Sequence, residues 1–161
     1  MKASRFGIAV IMALLLVGVS TALASTSGPA PRAATVAIAP SGLGRILVDI
    51  RGHTLYLFEK DKRGMSACSG LCTTYWPPLL TNGKSIAGKG AKRSLLGSVR
   101  RADGTRQVTY AGHPLYYWSG DTAHSIFCQH VKLHGGDWYV VKPNGTPDTA
   151  KGVGTMAMMQ G

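Results

Sequence analysis

The sequence contains no cysteine before Cys68, and its one long apolar run, from Phe6 to Val19, is shorter than the roughly 20 residues that a membrane-spanning helix needs. Lys2 and Arg5 precede this run and a small-x-small motif follows it, which is the pattern of a cleaved secretory signal peptide. The short run argues against an uncleaved anchor, and the absence of an early cysteine excludes lipid attachment. We predict a signal peptide at 1–24 and an exported chain without a lipid anchor, periplasmic or extracellular.

Acidic residues are scarce, with 7 Asp and Glu against 18 Lys and Arg, which gives a formal net charge of +11. Seven basic residues fall between positions 84 and 106, where Asp103 is the only acid: Lys84, Lys89, Lys92, Arg93, Arg100, Arg101 and Arg106. A basic surface outside the cell attracts an anionic envelope polymer or a membrane surface through screened electrostatics. No specific nucleic-acid binding is expected. The alternative interpretation of the basic segment is a solvated loop that keeps the protein soluble.

Helical periodicity is almost absent after the signal peptide. Only "SGLCTTYW" predicts a turn or two of helix, which Pro77 and Pro78 end. Segment 25–43 is rich in Ala, Pro, Ser and Thr and is predicted to be a flexible lead-in, and segment 146–161 a flexible tail. The 21 glycines and the alternation of apolar and polar residues between these segments predict an all-β domain at 44–145.

A repeat organises this domain. "GHTLYLFEKD" from Gly52 recurs 60 residues later as "GHPLYYWSGD", and "WPPLLTNG" from Trp76 recurs 62 residues later as "WYVVKPNG". Each unit is therefore a hairpin, a variable loop and a Trp strand, with unit one at about 45–96 and unit two at about 99–145. Three strands cannot bury both of their faces, so the two units are predicted to pack as one small sandwich or barrel.

The repeated aromatic and acidic side chains are candidate site residues. They are Tyr56, Phe58, Asp61, Tyr116, Trp118, Asp121, Trp76 and Trp138. Aromatic residues on one face of a strand typically fill the core of a small β domain, and an Asp just past a strand accepts backbone N–H bonds in a turn. A structural role is therefore expected. The alternatives are a duplicated site for a sugar or aromatic ligand, and a hydrolytic pair formed by Asp61 and Asp121.

Four stretches resemble a known family: "LVDIRGHTLYLFEKD", "SACSGLCTTYWPPLL", "VRRADGTRQVTYAGHPLYYWSGD" and "HGGDWYVVKPNG". They are similar, in order, to the bacterial family described as a secreted repeat of unknown function, predicted lipoproteins and exported proteins with a Tyr-x-aromatic-x-x-Asp motif. The resemblance covers about 44–145 and implies an exported two-repeat domain without an established activity. The chain departs from the family in lacking a lipobox and in its second loop, "TAHSIFCQHVKLHGG".

Three cysteines in an exported protein predict one disulfide and one free thiol. The residues alone allow Cys68–Cys72, Cys68–Cys128 or Cys72–Cys128, and the last two would join the two units. The family resemblance implies Cys68–Cys72. A dithiol redox role is the alternative, although redox motifs usually place two residues between their cysteines and here there are three.

The second loop supplies four candidate metal ligands, His124, Cys128, His130 and His134, which the family resemblance does not cover. Thiolate and imidazole donors suit copper or zinc, and His53, His113 and the tail methionines Met156, Met158 and Met159 add further donors. The spacing matches no closed zinc motif. The sequence therefore predicts a non-enzymatic exported domain that binds an envelope component or small ligand, with a metal or thiol-redox protein as the alternative.

Overall fold

The computed structural model describes residues 33–150, so the predicted signal peptide and the three tail methionines lie outside the described residues. The strands are β1 (Thr35–Ser41), β2 (Gly44–Asp49), β3 (Tyr56–Phe58), β4 (Ile86–Ala87), β5 (Leu96–Arg100), β6 (Arg106–Tyr110), β7 (His113–Pro114), β8 (Val131–Leu133) and β9 (Gly136–Val140). One short helix, α1 (Leu71–Tyr75), and a 3₁₀ turn (Arg93–Leu95) complete this part of the chain. The predicted all-β class is confirmed.

The strands form three small sheets, with the orders β2-β1-β4, β3-β9-β8 and β5-β6-β7. Isolated bridges add further pairing, including Tyr56 of β3 with Tyr116 and Leu80 with Gln107 of β6. Within residues 33–150 the sheets do not close into a barrel, so the arrangement is a small sandwich. The same part of the chain contains no helix that is long and apolar enough to span a membrane.

Strand β1 lies in the segment 25–43 that was predicted to be flexible, and that prediction is wrong for Thr35–Ser41. The strand pairs with β2 from Val36 to Ser41, and its Val36 and Ile38 side chains are buried. Alanine and proline in "TVAIAPS" hid the alternation because neither residue favours a strand. Residues 25–32 lie outside the described residues.

The start of the predicted flexible tail is also ordered. Pro147 bridges Val141, and Asp148 donates its backbone N–H to the Val140 carbonyl at 2.8 Å. Asp148 is buried, and Gln129 donates its side-chain amide to the Asp148 carbonyl. The tail prediction is therefore wrong for 146–150, which is held by backbone bonds to 140–142 and by the Gln129 side chain of the second loop.

The Trp segment of each unit pairs with the hairpin of the other unit. Leu79 of unit one donates to the Leu115 carbonyl at 2.9 Å, and Val108 donates to the Leu79 carbonyl at 2.8 Å. The same bonds recur at the repeat-related positions, from Val141 to the Leu55 carbonyl at 3.2 Å and from Leu47 to the Val141 carbonyl at 2.9 Å. The two units therefore exchange their third elements reciprocally and do not fold as two separate three-stranded pieces.

The core is a stack of aromatic rings that crosses the boundary between the units. The Trp76 and Trp138 rings stack at its centre with centroids 3.9 Å apart. Phe58 of unit one lies 4.1 Å from Trp138 of unit two, and Trp118 of unit two lies 4.8 Å from Trp76 of unit one. Tryptophans 76 and 138 are fully buried. The aromatic residues of the repeated motif thus build the contact between the two units.

Candidate functional site at the seam between the units

The two motif tyrosines bind the aspartates of the opposite unit. The Tyr56 hydroxyl donates to Asp121 Oδ2 at 2.6 Å, and the Tyr116 hydroxyl donates to Asp61 Oδ2 at 2.9 Å. The backbones of Tyr56 and Tyr116 also exchange both of their hydrogen bonds at 2.9 Å. The Tyr-x-aromatic-x-x-Asp motif therefore joins one copy of the unit to the other around an approximate two-fold axis.

Each aspartate also closes its own loop. Asp61 Oδ1 accepts the Ala67 backbone N–H at 2.7 Å, and Asp121 Oδ1 accepts the Phe127 N–H at 2.9 Å. Burial raises the pKa of Asp61 to about 6, although the Ala67 and Tyr116 bonds oppose the shift. Burial likewise raises the pKa of Asp121 to about 6 against the bonds from Tyr56 and Phe127. All four carboxylate oxygens have partners, which favours the structural role over a hydrolytic pair.

A pocket of about 210 Å³ opens where the two units meet, and we call it the seam pocket. It is lined by Arg51, His53, Thr54, Pro77, Tyr117, Trp118 and Asp121. A wider depression of about 550 Å³ adjoins it, because Arg51 and Tyr117 line both spaces. The seam pocket thus takes side chains from the first hairpin, the first Trp segment and the second motif.

A buried carboxylate organises the polar wall of the seam pocket. Asp49 Oδ1 accepts the backbone N–H groups of Arg51 at 2.8 Å and His53 at 2.9 Å, while Oδ2 accepts the Tyr117 hydroxyl at 3.2 Å. The same Oδ2 lies 3.4 Å from His53 Nδ1. Burial disfavours ionisation of Asp49, but the His53 and Arg51 N–H bonds outweigh it and lower its pKa. Asp49 therefore holds the His53 and Tyr117 side chains at the pocket.

Trp118 forms the aromatic wall. It is half-buried at the outer end of the core stack, with its ring 6.2 Å from the ring of Tyr75. A Cβ at Gly120 would lie 2.6 Å from Trp118 Nε1, so a glycine is required there for the indole to occupy this position. The repeat-related residue of Gly120 is Lys60, which shows that this requirement belongs to one unit only.

A model of the family described as a secreted repeat of unknown function matches residues 37–80 and 97–142, together more than half of the chain. The chain belongs to this family. Comparisons with curated proteins and with solved structures gave no match. The resemblance predicted from the four sequence stretches is confirmed, as are the two repeats, and the family's description as secreted supports the predicted export.

The secreted-repeat units have diverged at the seam pocket. The repeat-related residues of Arg51, Thr54 and Tyr117 are Ala111, Pro114 and Leu57, which lack their polar side-chain groups. His113, the counterpart of His53, has its pKa lowered by burial. The duplication therefore repeats His53 and Asp121 as His113 and Asp61, whereas the polar groups of Arg51, Thr54 and Tyr117 are present on one side only.

The predicted disulfide Cys68–Cys72 is present, and it joins the two ends of the "CSGLC" turn. Cys68 is 1% exposed and Cys72 is 7% exposed, so neither sulfur offers a redox partner easy access. Cys128 is free and buried, and burial raises the pKa of its thiol to about 11. A thiolate, and not a thiol, is the reactive form, so this cysteine acts as a small core residue.

The structure does not bring together the four candidate metal ligands of the second loop. The His130 ring lies 4.8 Å from the Tyr139 ring and the His134 ring lies 6.0 Å from the Tyr75 ring, whereas His124 donates its backbone N–H to Gly52. Across residues 33–150 no three His, Cys, Asp or Glu side chains lie close enough to hold a metal ion. The described residues therefore give the copper or zinc interpretation no support.

One member of the predicted basic surface is internal. Arg101 is buried, and its Nη1 donates to Ser66 Oγ at 2.8 Å and Gln107 Oε1 at 2.7 Å. Its Nη2 donates to the Cys68 carbonyl at 2.7 Å. Ser66 Oγ lies 2.7 Å from the Tyr116 hydroxyl. Arg101 therefore connects the disulfide loop to the hydrogen-bonded pair of Tyr116 and Asp61.

The two motif aspartates, Asp61 and Asp121, make the free energy of unfolding depend on pH. Folding raises the pKa of Asp61 and Asp121 from 3.8 to about 6, so the folded state binds their protons more tightly and gains stability as the pH falls from 7 to 4. We expect Asp121→Asn to be less destabilising at pH 7.5 than at pH 4.5 by on the order of 1–2 kcal/mol, allowing for partial solvent screening. Urea unfolding at both pH values measures the difference.

Comparison with the wild type at each pH separates this effect from that of His113, whose lowered pKa works in the opposite direction. Asp103→Asn is the matched control, because hydrogen bonds from Thr105 lower the pKa of Asp103. Its destabilising effect should not decrease with rising pH. An equal effect of Asp121→Asn at the two pH values would contradict the assigned environment of Asp121.

Proposed function

We propose that the domain is a non-enzymatic, exported binding module that holds one sugar ring of an envelope polysaccharide in the seam pocket. The observation that supports this proposal most directly is the one-sided divergence of the repeat. A duplicated scaffold needs the same residues on both sides, whereas Arg51, Thr54 and Tyr117 have no polar counterparts. Side chains that differ in this way around a concave space are expected where a ligand binds.

The chemistry of the pocket suits a saccharide. The indole of Trp118 offers a flat apolar surface on which the C–H face of a sugar ring packs. His53 and Tyr117 lie beside it, held by Asp49, and provide polar groups at fixed positions for hydroxyls. Sugar hydroxyls both donate and accept hydrogen bonds, so they match a wall that contains donors and carboxylate acceptors together.

The volume and the charge of the seam pocket limit the class of ligand that it can bind. A space of about 210 Å³ accommodates one ring, and the adjoining depression of about 550 Å³ leaves room for the next part of a chain. Among residues 33–150, Arg51 is the one Lys or Arg that lines the pocket, and Asp121 and the nearby Asp49 offset its charge. A neutral ring is therefore favoured over a strongly anionic one.

Isothermal titration calorimetry of the mature protein tests the proposal. The ligands are soluble peptidoglycan fragments and neutral oligosaccharides. We expect His53→Ala to weaken binding at least tenfold, about 1.4 kcal/mol, and Trp118→Ala to abolish it. The repeat-related variant His113→Ala should change the affinity less than twofold. Equal losses in His53→Ala and His113→Ala, or no binding of any glycan to the wild type, would refute the proposal.

A further inference from the structure

A second concave site lies in the basic part of the chain, away from the residues of the seam pocket. It is a cleft of about 160 Å³ beside the 3₁₀ turn and the start of β5, and we call it the basic cleft. It is lined by Lys84, Ser85, Arg93, Leu96, Gly97 and Ser98. Of the described residues, two cations, two hydroxyl residues and no acid therefore surround one small space.

Arg106 adds a third cation at the edge of the basic cleft. Its Nη1 donates to Ser98 Oγ at 3.1 Å, which brings the guanidinium to a residue that lines the cleft. Arg100 lies directly opposite Arg106 in the register of β5 and β6. Like charges at directly opposed strand positions repel each other, and a bound anion relieves that repulsion.

Within the part of the chain that the structure describes, no acidic side chain neutralises these cations. Among residues 33–150 the salt bridges involve Arg51, His53 and Arg101 only, so Lys84, Arg93 and Arg106 have no acidic partner there. Asp103, the nearest acid in the sequence, is held by Thr105 and Arg101. The positive charge around the cleft is thus available to a ligand.

Ser85 provides an independent indication of a ligand. Its side chain is more than nine-tenths buried, and its Oγ has no hydrogen-bond partner among the described residues. A buried hydroxyl without a partner is uncommon, because leaving water without a replacement hydrogen bond costs free energy. Since Ser85 lines the cleft, an acceptor oxygen bound there is the natural partner for its hydroxyl.

We propose that the basic cleft binds a phosphate group, with Lys84 and Arg93 as the charged ligands and Ser85 as a hydroxyl donor. A tetrahedral oxyanion presents acceptor oxygens in several directions, and the cleft offers an ammonium, a guanidinium and hydroxyls from separate segments of the chain. The phosphate is either free or carried on an envelope polymer. This proposal does not depend on saccharide binding, because the two sites share no lining residue.

Amide NMR spectra of the mature protein, recorded during titration with inorganic phosphate against chloride at constant ionic strength, test the proposal. We expect saturable shifts at 84–85 and 93–98. The double substitution Lys84→Ala with Arg93→Ala should weaken phosphate binding at least tenfold, and Ser85→Ala should weaken it several-fold. Both cations are exposed, so the double variant should keep the wild-type fold, which its spectrum reports directly.

Lys132→Ala is the control, because Lys132 is an exposed lysine on β8 and does not line the cleft. It should bind phosphate as the wild type does. A poly(glycerol phosphate) probe distinguishes the sources: tighter binding per phosphate than that of inorganic phosphate assigns the cleft to a polymer, and weaker binding assigns it to free phosphate. Shifts that do not saturate, or an equal loss in Lys132→Ala, would overturn the proposal.

Discussion

Replacing Trp138 by alanine is expected to lower the free energy of unfolding by about 3–5 kcal/mol, a large fraction of the stability of an ordinary small domain. The Trp138 ring is fully buried between Trp76 and Phe58, with centroid distances of 3.9 and 4.1 Å, and Tyr116 meets it edge-on at 5.1 Å. Its Nε1 also donates to the Leu133 carbonyl. Alanine leaves a cavity in the middle of the stack, and chemical unfolding of the mature protein measures the loss.

Trp118→Ala is the matched control, because Trp118 belongs to the same stack but lies half-exposed at its outer end. Partial burial limits the expected loss to about 1–2 kcal/mol. If Trp118→Ala proved as destabilising as Trp138→Ala, the stack would not have its centre at the two buried tryptophans, and our description of the core would be wrong.

The second large effect concerns the exchange between the units. The fragments 25–95 and 96–161 each contain one complete repeat, yet neither should fold alone. The reason is that Leu79 and Val141 pair with hairpins of the opposite unit. We expect each fragment to give the circular dichroism spectrum of an unfolded chain and poorly dispersed amide NMR shifts. An equimolar mixture should recover the dispersed spectrum of the whole domain.

The fragment that contains Cys68 and Cys72 should be prepared oxidised, so that the disulfide is the same in the fragment and in the mixture. Dispersed amide shifts from either isolated fragment would contradict the exchange. They would show that a unit can satisfy its own third strand, as two independently folded repeats would.

The fold could be predicted in outline because the residues that recur in the repeat are the ones that fill the core. Tyr56 and Tyr116 recur at one spacing, as do Trp76 and Trp138 at another, and all four side chains are fully buried in the core. The exchange of the Trp segments could not be predicted, because a strand of either unit satisfies the same local pattern. Which hairpin it joins is decided by long-range packing.

Strand β1 and the ordered start of the tail were missed for a different reason. Alanine and proline weaken the local signal in 35–41, and the order of 146–150 depends on Gln129, which is distant in sequence. Composition alone suggests flexibility in both places. Hydrogen bonds to distant parts of the chain order both segments despite their composition.

The candidate site was predicted less well than the fold. Trp118 and Asp121 were singled out as motif residues, but Asp49, Arg51 and Tyr117 were not. A signal for them was present in the sequence: Arg51 and Tyr117 differ from their repeat-related residues inside otherwise matching segments. The histidines of the variable second loop diverge more visibly in the sequence, but the fold separates them.

Duplication built the scaffold of this domain, and we propose that divergence made a binding site on one side of it. The most direct measurement is an amide NMR map of the mature protein saturated with the oligosaccharide that binds most tightly. We predict shifts confined to 51–54 and 117–121, with the repeat-related segments 111–114 and 57–61 unchanged. Shifts of similar size on both sides would show a symmetric site and would contradict a binding site made by divergence of one unit.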